Sequence, residues 1–452
     1  MARRVILALS ALLPAALGYV VNNGTKCYIF PESLTHFAQP VDDSPSILQA
    51  FELCGINGTV IFTDHTFHVN QVLNTTNLIN CEVELRGDVV FSTNVPYWLS
   101  HSFNVGLQNQ STAWLFGGTN VSILGLGGSL DGNGQTWYDE NRGNSNQPGR
   151  PITLTIFNSS NVYVDGLSII QPHGTVNTDG SDTWNSRDIT YTNWIVQNGD
   201  DCIAAKGNTT NLLVRNVTCY GGSGMTIGSV GQYPNNPGST PTILRHPPDA
   251  DLATYHWTDY DENMYMTAHA ECRDAADSPR SLFEDISILG SNDGAYIKTW
   301  QGVNQDSTGN GDSGGGGRGL VRNITFRNFY LENVALPIQI TQCIYTESGA
   351  DICDTSKMQI ADVHFENFTG TSRFNVAASL HCAASHPCKG LYFKDVNIVS
   401  LNHTLGLPLY NTTLQDEVYQ CANIVNQNTT SGIPCNHWAP NDYGQSPSGN
   451  VQ

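Results

Sequence analysis

Basic residues are scarce in this chain: 20 Lys and Arg stand against 40 Asp and Glu, a formal net charge of −20 at pH 7. That balance argues against nucleic acid or an anionic membrane as the partner of the chain as a whole. Long apolar runs are missing as well. The stretch from Val5 to Ala16 is too short to span a bilayer, and nothing later is long and apolar enough. Its setting gives it another meaning. Arg3 and Arg4 precede it, and Ala16-Leu17-Gly18 follows with small residues at the two positions a signal peptidase reads. Residues 1–18 are therefore expected to be a signal peptide, and the chain to be secreted and extracellular. The 12 cysteines include no Cys-X-X-Cys pair, which leaves a zinc or redox site without support. In an exported chain they are better read as disulfides. Cys343 with Cys353 and Cys382 with Cys388 are spaced for short loops, and Cys202 with Cys219 lies about one structural repeat apart. Thirteen Asn-X-Ser/Thr sequons favour a glycosylated surface: Asn23, Asn57, Asn74, Asn109, Asn120, Asn158, Asn208, Asn216, Asn323, Asn367, Asn402, Asn411 and Asn428.

Heptads are absent too, and helix-like windows are few after Gly55. A short strand pattern recurs in their place. Its copies include Asn120-Val-Ser-Ile-Leu-Gly, Asn161-Val-Tyr-Val-Asp-Gly, Asp188-Ile-Thr-Tyr-Thr-Asn and Asn211-Leu-Leu-Val-Arg-Asn. Later ones are Asp285-Ile-Ser-Ile-Leu-Gly, Asn323-Ile-Thr-Phe-Arg-Asn, Ile360-Ala-Asp-Val-His-Phe-Glu-Asn and Gly390-Leu-Tyr-Phe-Lys-Asp. Alternating β-branched residues between turn residues are strand signals. From Asn161 to Asp188 to Asn211 the steps are 27 and 23 residues, the period of a β-solenoid whose coils stack on one another. A sandwich would not repeat one strand motif so often, and a propeller needs a longer unit. The expectation is an all-β chain, a single right-handed parallel β-helix over roughly residues 40–400. Residues 19–452 would form one domain, interrupted by an atypical insert at 234–281. Ser44 to Gly55 is expected to be a helix capping the open N-terminal end, with Asp42, Asp43 or Ser44 as N-cap.

Three segments carry polar residues at coil spacing: Asn177-Thr-Asp-Gly, Asn198-Gly-Asp-Asp-Cys and Gly221-Gly-Ser-Gly-Met. Asp179 to Asp200 is 21 residues and Asp200 to Ser223 is 23, so all three positions are expected to stack on one face. Neighbouring coils lie about 4.8 Å apart, which brings their carboxylates within reach of one sugar. Glycosidic hydrolysis needs an acid to protonate the leaving oxygen and a carboxylate to activate water or attack the anomeric carbon. Crowding three carboxyls raises the pKa of one and keeps its proton available. Each motif alone is an ordinary solenoid turn or a calcium loop; together, at coil spacing, they favour catalysis. No metal or cofactor is expected. His246, His256, His269 and Cys272 in the insert match no standard metal spacing.

These motifs, followed by Thr226-Ile-Gly-Ser-Val-Gly-Gln-Tyr and Asp293-Gly-Ala-Tyr-Ile-Lys-Thr-Trp, resemble the polygalacturonases of glycoside hydrolase family 28 over most of the chain after about residue 110. The resemblance implies a parallel β-helix, pectic substrates and an inverting single displacement. It implies Asp200 as general acid, Asp179 and Asp201 as activators of the attacking water, and Asn177 in the substrate site. Lys298 would hold a galacturonate carboxylate, the local cation that a polyanionic substrate requires in so acidic a chain. Four departures are visible. Ser223 stands where the family usually has His, and Tyr296 where it usually has Arg; a phenol stacks on a sugar or donates one hydrogen bond but does not clamp a carboxylate. Gln171-Pro-His-Gly-Thr-Val runs straight into Asn177 where a further coil is usual, and the 234–281 insert replaces a short link.

The Ser223/Tyr296 pairing and the glycine-rich run after Gly309 resemble the exo-acting fungal branch, which includes enzymes called exo-rhamnogalacturonases. The function expected is release of terminal galacturonic acid from homogalacturonan or oligogalacturonates by a monomeric enzyme. The alternatives are hydrolysis of rhamnogalacturonan and a catalytically impaired, pectin-binding β-helix.

Overall fold

The computed structural model describes residues 19–34, 41–104, 111–141, 149–152, 154–171, 177–231, 281–302, 318–343, 353–401, 417–425, 433–435 and 437–438. The expected signal peptide lies outside them, as do all but the last residue of the insert, the glycine-rich run and the sequons Asn109, Asn402, Asn411 and Asn428. Among the described residues no helix is long and apolar enough to cross a membrane.

Strands stack in parallel, one coil on the next. One ladder runs from Lys26–Phe30 through Thr59–Phe62, Leu73–Leu85, Trp114–Leu124, Ser160–Asp165, Arg187–Asn198, Thr210–Gly221, Ser281–Leu289, Arg318–Val334 and Lys357–Ser372 to Lys389–Ser400. A second runs from Thr155–Phe157 through Ser181–Trp184, Ile203–Ala205, Met225–Val230, Asp293–Thr299, Leu336–Thr341 and Val376–His381 to Val418–Ala422. The architecture is a right-handed parallel β-helix. It begins earlier and ends later than the repeat pattern suggested, since coil pairing already holds at Lys26 and persists to Trp438.

Turn chemistry explains the repeat. Asn80, Asn120, Asn161, Asp188 and Asn211 occupy one turn column, with φ between 47° and 57°. Asparagine and aspartate tolerate this left-handed geometry better than other side chains. Their amides also bond from coil to coil: Asn120 Nδ2 donates to Asn80 Oδ1 at 2.8 Å, and Asn80 Nδ2 to Asn57 Oδ1 at 2.9 Å. The copy at Asp285 belongs to a different turn. Val217 pairs with Ile286, so Asp285 falls in the column of Asn193, Asn216, Asn328 and Asn367. Inside, side chains repeat at coil spacing. Phe283, Phe326, Phe365 and Phe393 stack with ring centroids 5.0, 5.3 and 4.9 Å apart, close to the strand separation itself.

The N-terminal end of the core is covered by helix α1 (Ser44–Cys54), whose Ile47, Ala50, Phe51 and Cys54 are buried. Its N-cap is Asp43, but the Asp43 side chain does not cap. It accepts from the backbone N–H of Glu32 and of His68, both at 2.7 Å. Asp42 bonds Ser44 instead, through N–H at 3.1 Å and Oγ at 2.6 Å. Disulfides join Cys202–Cys219, Cys343–Cys353 and Cys382–Cys388, and also Cys27–Cys54 and Cys421–Cys435, which the spacing alone does not pair. Cys81 is a buried free thiol.

One corner of the helix matters most for function. Here the chain turns into the face that carries the second ladder, which Trp114–Phe116 also joins, and the connection shortens along the axis. Between Phe91 and Trp114 it holds helix α2 (Val95–His101); between Asp131 and Thr155 it holds helix α3 (Gly134–Asn141). The short strands Phe103–Asn104, Ser111–Thr112 and Pro151–Ile152 knit these two corners together. Two coils further on, only residues 199–202 and then 222–224 separate the ladders. The result is a wall on the N-terminal side of a bare corner.

Candidate active site

Asp179, Asp200 and Asp201 lie in that bare corner, each contributing an oxygen within 4.8 Å of the others. They do not share one column, contrary to the 21- and 23-residue spacing. Ser181 pairs with Ile203 and Ile203 with Met225; carried back two residues, this register aligns Asp179 with Asp201 and Ser223. Asp200 precedes the column and is turned by its own contacts. Its Oδ1 accepts from the N–H of Asp201 at 2.8 Å, and its Oδ2 accepts from the Asn177 N–H at 2.8 Å and Nδ2 at 3.3 Å. The Asp200 carbonyl accepts from the Ser223 N–H at 2.8 Å. Gly222 makes this packing possible, since it sits at φ +62° and a Cβ there would meet the Asp200 carbonyl at 2.0 Å. Beyond the acids, the Cys202–Cys219 bridge fastens the corner to the strand Thr210–Gly221.

Two lysines organise the charge. Lys298 Nζ meets Asp201 Oδ2 at 2.9 Å and Oδ1 at 3.1 Å, and Thr226 Oγ1 donates to Asp201 Oδ1 at 2.7 Å. Lys206 Nζ lies 3.2 Å from Asp179, 3.5 Å from Asp182 and 3.9 Å from Asp201. Register explains the gathering: Asp182, Ala204, Thr226 and Tyr296 are paired on successive coils. Lys206 and Lys298 stand two residues beyond Ala204 and Tyr296, hence on the same outward face. Tyr296 is buried, with the Lys298 ammonium 5.2 Å from its ring centroid.

The acids are thereby split into two protonation classes. Burial, then the charges of Asp179 and Asp201, push the Asp200 carboxyl up to about 7, against the pull of Lys298 and Lys206. Burial acts upward on Asp179 too, but Lys206, a hydrogen bond with Asp182 and Lys298 outweigh it and hold that carboxyl below the usual range. Asp182 is raised well above the usual range by burial and by Asp179. Burial disfavours the Lys206 ammonium, yet Asp182, Asp179 and Asp201 raise it above the ordinary lysine value. A half-buried carboxylic acid that keeps its proton near neutrality sits beside carboxylates ion-paired to lysines. Such a set can donate one proton and polarise one water.

Every residue singled out in the sequence for this site falls in or beside it. Lys298 contacts a catalytic candidate directly instead of standing apart from it. Lys206, Asp182 and Arg150 carry no signal in the motifs. A charged residue closing the apolar run Cys202-Ile-Ala-Ala is the one hint for Lys206, because a lysine buried there needs partners. Arg150 Nη2 donates to the Asn177 carbonyl, which ties the wall to the acid-bearing corner.

The model of the glycosyl hydrolases family 28 matches residues 145–240 and 280–426. The chain is 33% identical over 385 residues to exopolygalacturonase X of Aspergillus niger, covering 78% of this chain and 79% of that protein. It is 32% identical over 467 residues to alpha-L-rhamnosidase rgxB of the same species, covering 96% of each. Among solved structures it is similar to an endo-xylogalacturonan hydrolase from Aspergillus tubingensis, with TM-score 0.55 and 21% identity over 85% of this chain and 93% of that one. At that identity the likeness speaks for the fold. The sequence relatives and the family match carry the assignment: the chain is a glycosidase and belongs to family 28 of the glycosyl hydrolases.

Proposed function

We propose that this glycosidase is a secreted, pectin-degrading exo-hydrolase that releases terminal galacturonic acid from homogalacturonan or oligogalacturonates. The observation that carries the chemistry is the protonated Asp200 set among Asp179 and Asp201 with their lysines. Asp200 protonates the leaving oxygen, and Asp179 and Asp201 orient and deprotonate the attacking water. The wall built on α2 and α3 supports chain-end attack, since it stands on the N-terminal side of the acids. The name of the exopolygalacturonase relative agrees.

The stereochemistry needs its own test. Oxygens within 4.8 Å are closer than the roughly 6.5–9.5 Å between carboxyls in most inverting glycosidases. Inversion is favoured here by the division of labour, one protonated acid against a pair of lysine-bound carboxylates that share one water. Proton NMR of trigalacturonate hydrolysis follows the released sugar directly. Monomeric galacturonate appearing first as the β-anomer is the expected result. The α-anomer first would make Asp179 or Asp201 a nucleophile, and products longer than the monomer would overturn exo action. A second substrate reading rests on Tyr296, which stands where the family resemblance expects Arg, and on the rhamnosidase relative. Release of rhamnose from rhamnogalacturonan oligomers, with trigalacturonate left intact, would select it.

A further inference from the structure

Asp182 takes no part in the proposed chemistry, yet it is buried within the same charged corner. It is 1% exposed and shares the outward face of the second ladder with Thr226 and Tyr296. Its neighbours are well supplied with donors. Asp201 accepts from Lys298 and Thr226, and Asp200 from the N–H groups of Asn177 and Asp201. Asp182 is not. Among the described residues no N–H or O–H donates to either of its oxygens, although both are buried. The Lys206 ammonium is 3.5 Å from Oδ1, longer than a charge-assisted hydrogen bond, and lies nearer to Asp179 at 3.2 Å. Positive charge is short as well. Lys206 and Lys298 face three carboxyls, Asp179, Asp182 and Asp201, while the Arg150 guanidinium acts on Asp179 and Asp200. Lys298 serves Asp201 and Lys206 hydrogen-bonds Asp179, so Asp182 is the acid left without a cation of its own. The nearby Tyr191 hydroxyl brings no charge; burial holds it neutral, and it is bonded to Ser181 Oγ at 3.0 Å.

An ionised carboxylate so placed would be costly, with no donor to replace lost water. The contact between Asp179 and Asp182 is a side-chain hydrogen bond. Carboxylates only accept, so one of the two carries the proton in that bond. Lys206 favours the negative charge on Asp179, and burial together with that charge favours the proton on Asp182. We propose that Asp182 is a positioning residue: it keeps its proton through the reaction and donates it in a hydrogen bond to Asp179, fixing the carboxylate that orients the attacking water. No bond to the substrate forms or breaks at Asp182. The inference rests on the water-activating role given to Asp179.

Asp182→Leu and Asp182→Asn, assayed on trigalacturonate over a range of pH and compared with the parent by infrared spectroscopy, test this. Leucine fills the space without a donor. It should lower kcat by about tenfold or more with KM little changed. The acid limb of kcat/KM should also move upward, since the hydrogen bond that favours ionised Asp179 is gone. Asparagine is neutral and donates from nearly the same place, so it should recover most of what leucine loses and restore the acid limb. At pH well above about 7, where Asp200 has ionised, the parent should retain the carbonyl band of a protonated carboxyl, and Asp182→Asn should lack it. An asparagine variant as impaired as the leucine one overturns the proposal, because it would make Asp182 an ionised partner of Lys206. So does a parent without that band, a result that stands even if Asp182→Leu fails to fold. The two levels fail separately. An Asp179→Asn variant with parental kcat refutes the water-activating role of Asp179, and with it the purpose assigned to Asp182. An Asp179→Asn variant without turnover, beside a parent lacking the band, refutes the proposal for Asp182 alone.

Discussion

Replacing Asp200 by asparagine should lower kcat by about 10²–10⁴, the usual worth of a positioned general acid, while KM changes little. The amide is nearly isosteric but has no proton acidic enough to give to a leaving alkoxide. Its single oxygen can accept from the Asn177 N–H or the Asp201 N–H, not from both as the carboxylate does. The chain around it is held independently, by the bond from the Ser223 N–H to the Asp200 carbonyl and by the Cys202–Cys219 bridge. Loss of turnover should therefore not be loss of fold, and a thermal midpoint lowered by no more than one lost hydrogen bond, with unchanged oligogalacturonate affinity, would establish that. A variant that keeps more than about a tenth of parental kcat would remove Asp200 from the acid role.

Replacing Lys206 by methionine should have the largest structural effect of any single change at the site. The ammonium is almost completely buried and is the shared partner of Asp179 and Asp182, with Asp201 at 3.9 Å. Removing one member of a buried ionic set costs about 3–5 kcal/mol, because charge is left without compensation in a poorly solvated place. Part of that cost would be relieved by protonating Asp179. Its carboxyl lies below the usual range because Lys206 and its other partners outweigh burial; without the lysine, burial prevails and the pKa rises. The stabilising effect of the ionised Asp179 is present above its unfolded-state pKa and is lost as pH falls through the depressed folded value. In the variant that loss begins at higher pH, so the acid limb of both stability and kcat/KM should move upward. Chemical denaturation at a series of pH values measures the shift. A variant with parental stability and an unmoved acid limb would show that Lys206 does not set the ionisation of Asp179.

The strand repeat was legible because its cause is local. A left-handed turn selects Asn or Asp, and the strand after it alternates inward and outward residues, whatever the coil contains. The same cause misleads in two places. Asp285 opens a segment that matches the others letter by letter yet sits in another turn, since both turn columns obey the same rule. The sequons are also partly a by-product of it. Asn57, Asn120, Asn158, Asn208, Asn216, Asn323 and Asn367 all occupy left-handed turns, where an outward Ser or Thr two residues later is ordinary strand patterning. Their number therefore says less about glycosylation than it does about turns; Asn23 and Asn74, exposed and outside those turns, are free of that explanation. The acids were readable from motif order, but not which of them share a column. That depends on register, and a single residue of offset takes Asp200 out of the column shared by Asp179 and Asp201. Asp182 and Arg150 were not readable, and Lys206 only as a charge closing an apolar run. Their roles arise from burial and from coils meeting at one corner, and no spacing in a sequence reports either.

The dependence of kcat/KM for trigalacturonate on pH reaches the central physical statement most directly, namely that Asp200 keeps its proton to higher pH than lysine-paired Asp179 does. The rate should fall as pH rises through about 7, the value to which burial and the neighbouring acids lift Asp200, and that alkaline limb should vanish in Asp200→Asn. A rate that stays level or climbs well beyond that pH would mean that no carboxylic acid supplies the proton, and the assignment of the three aspartates would have to be abandoned.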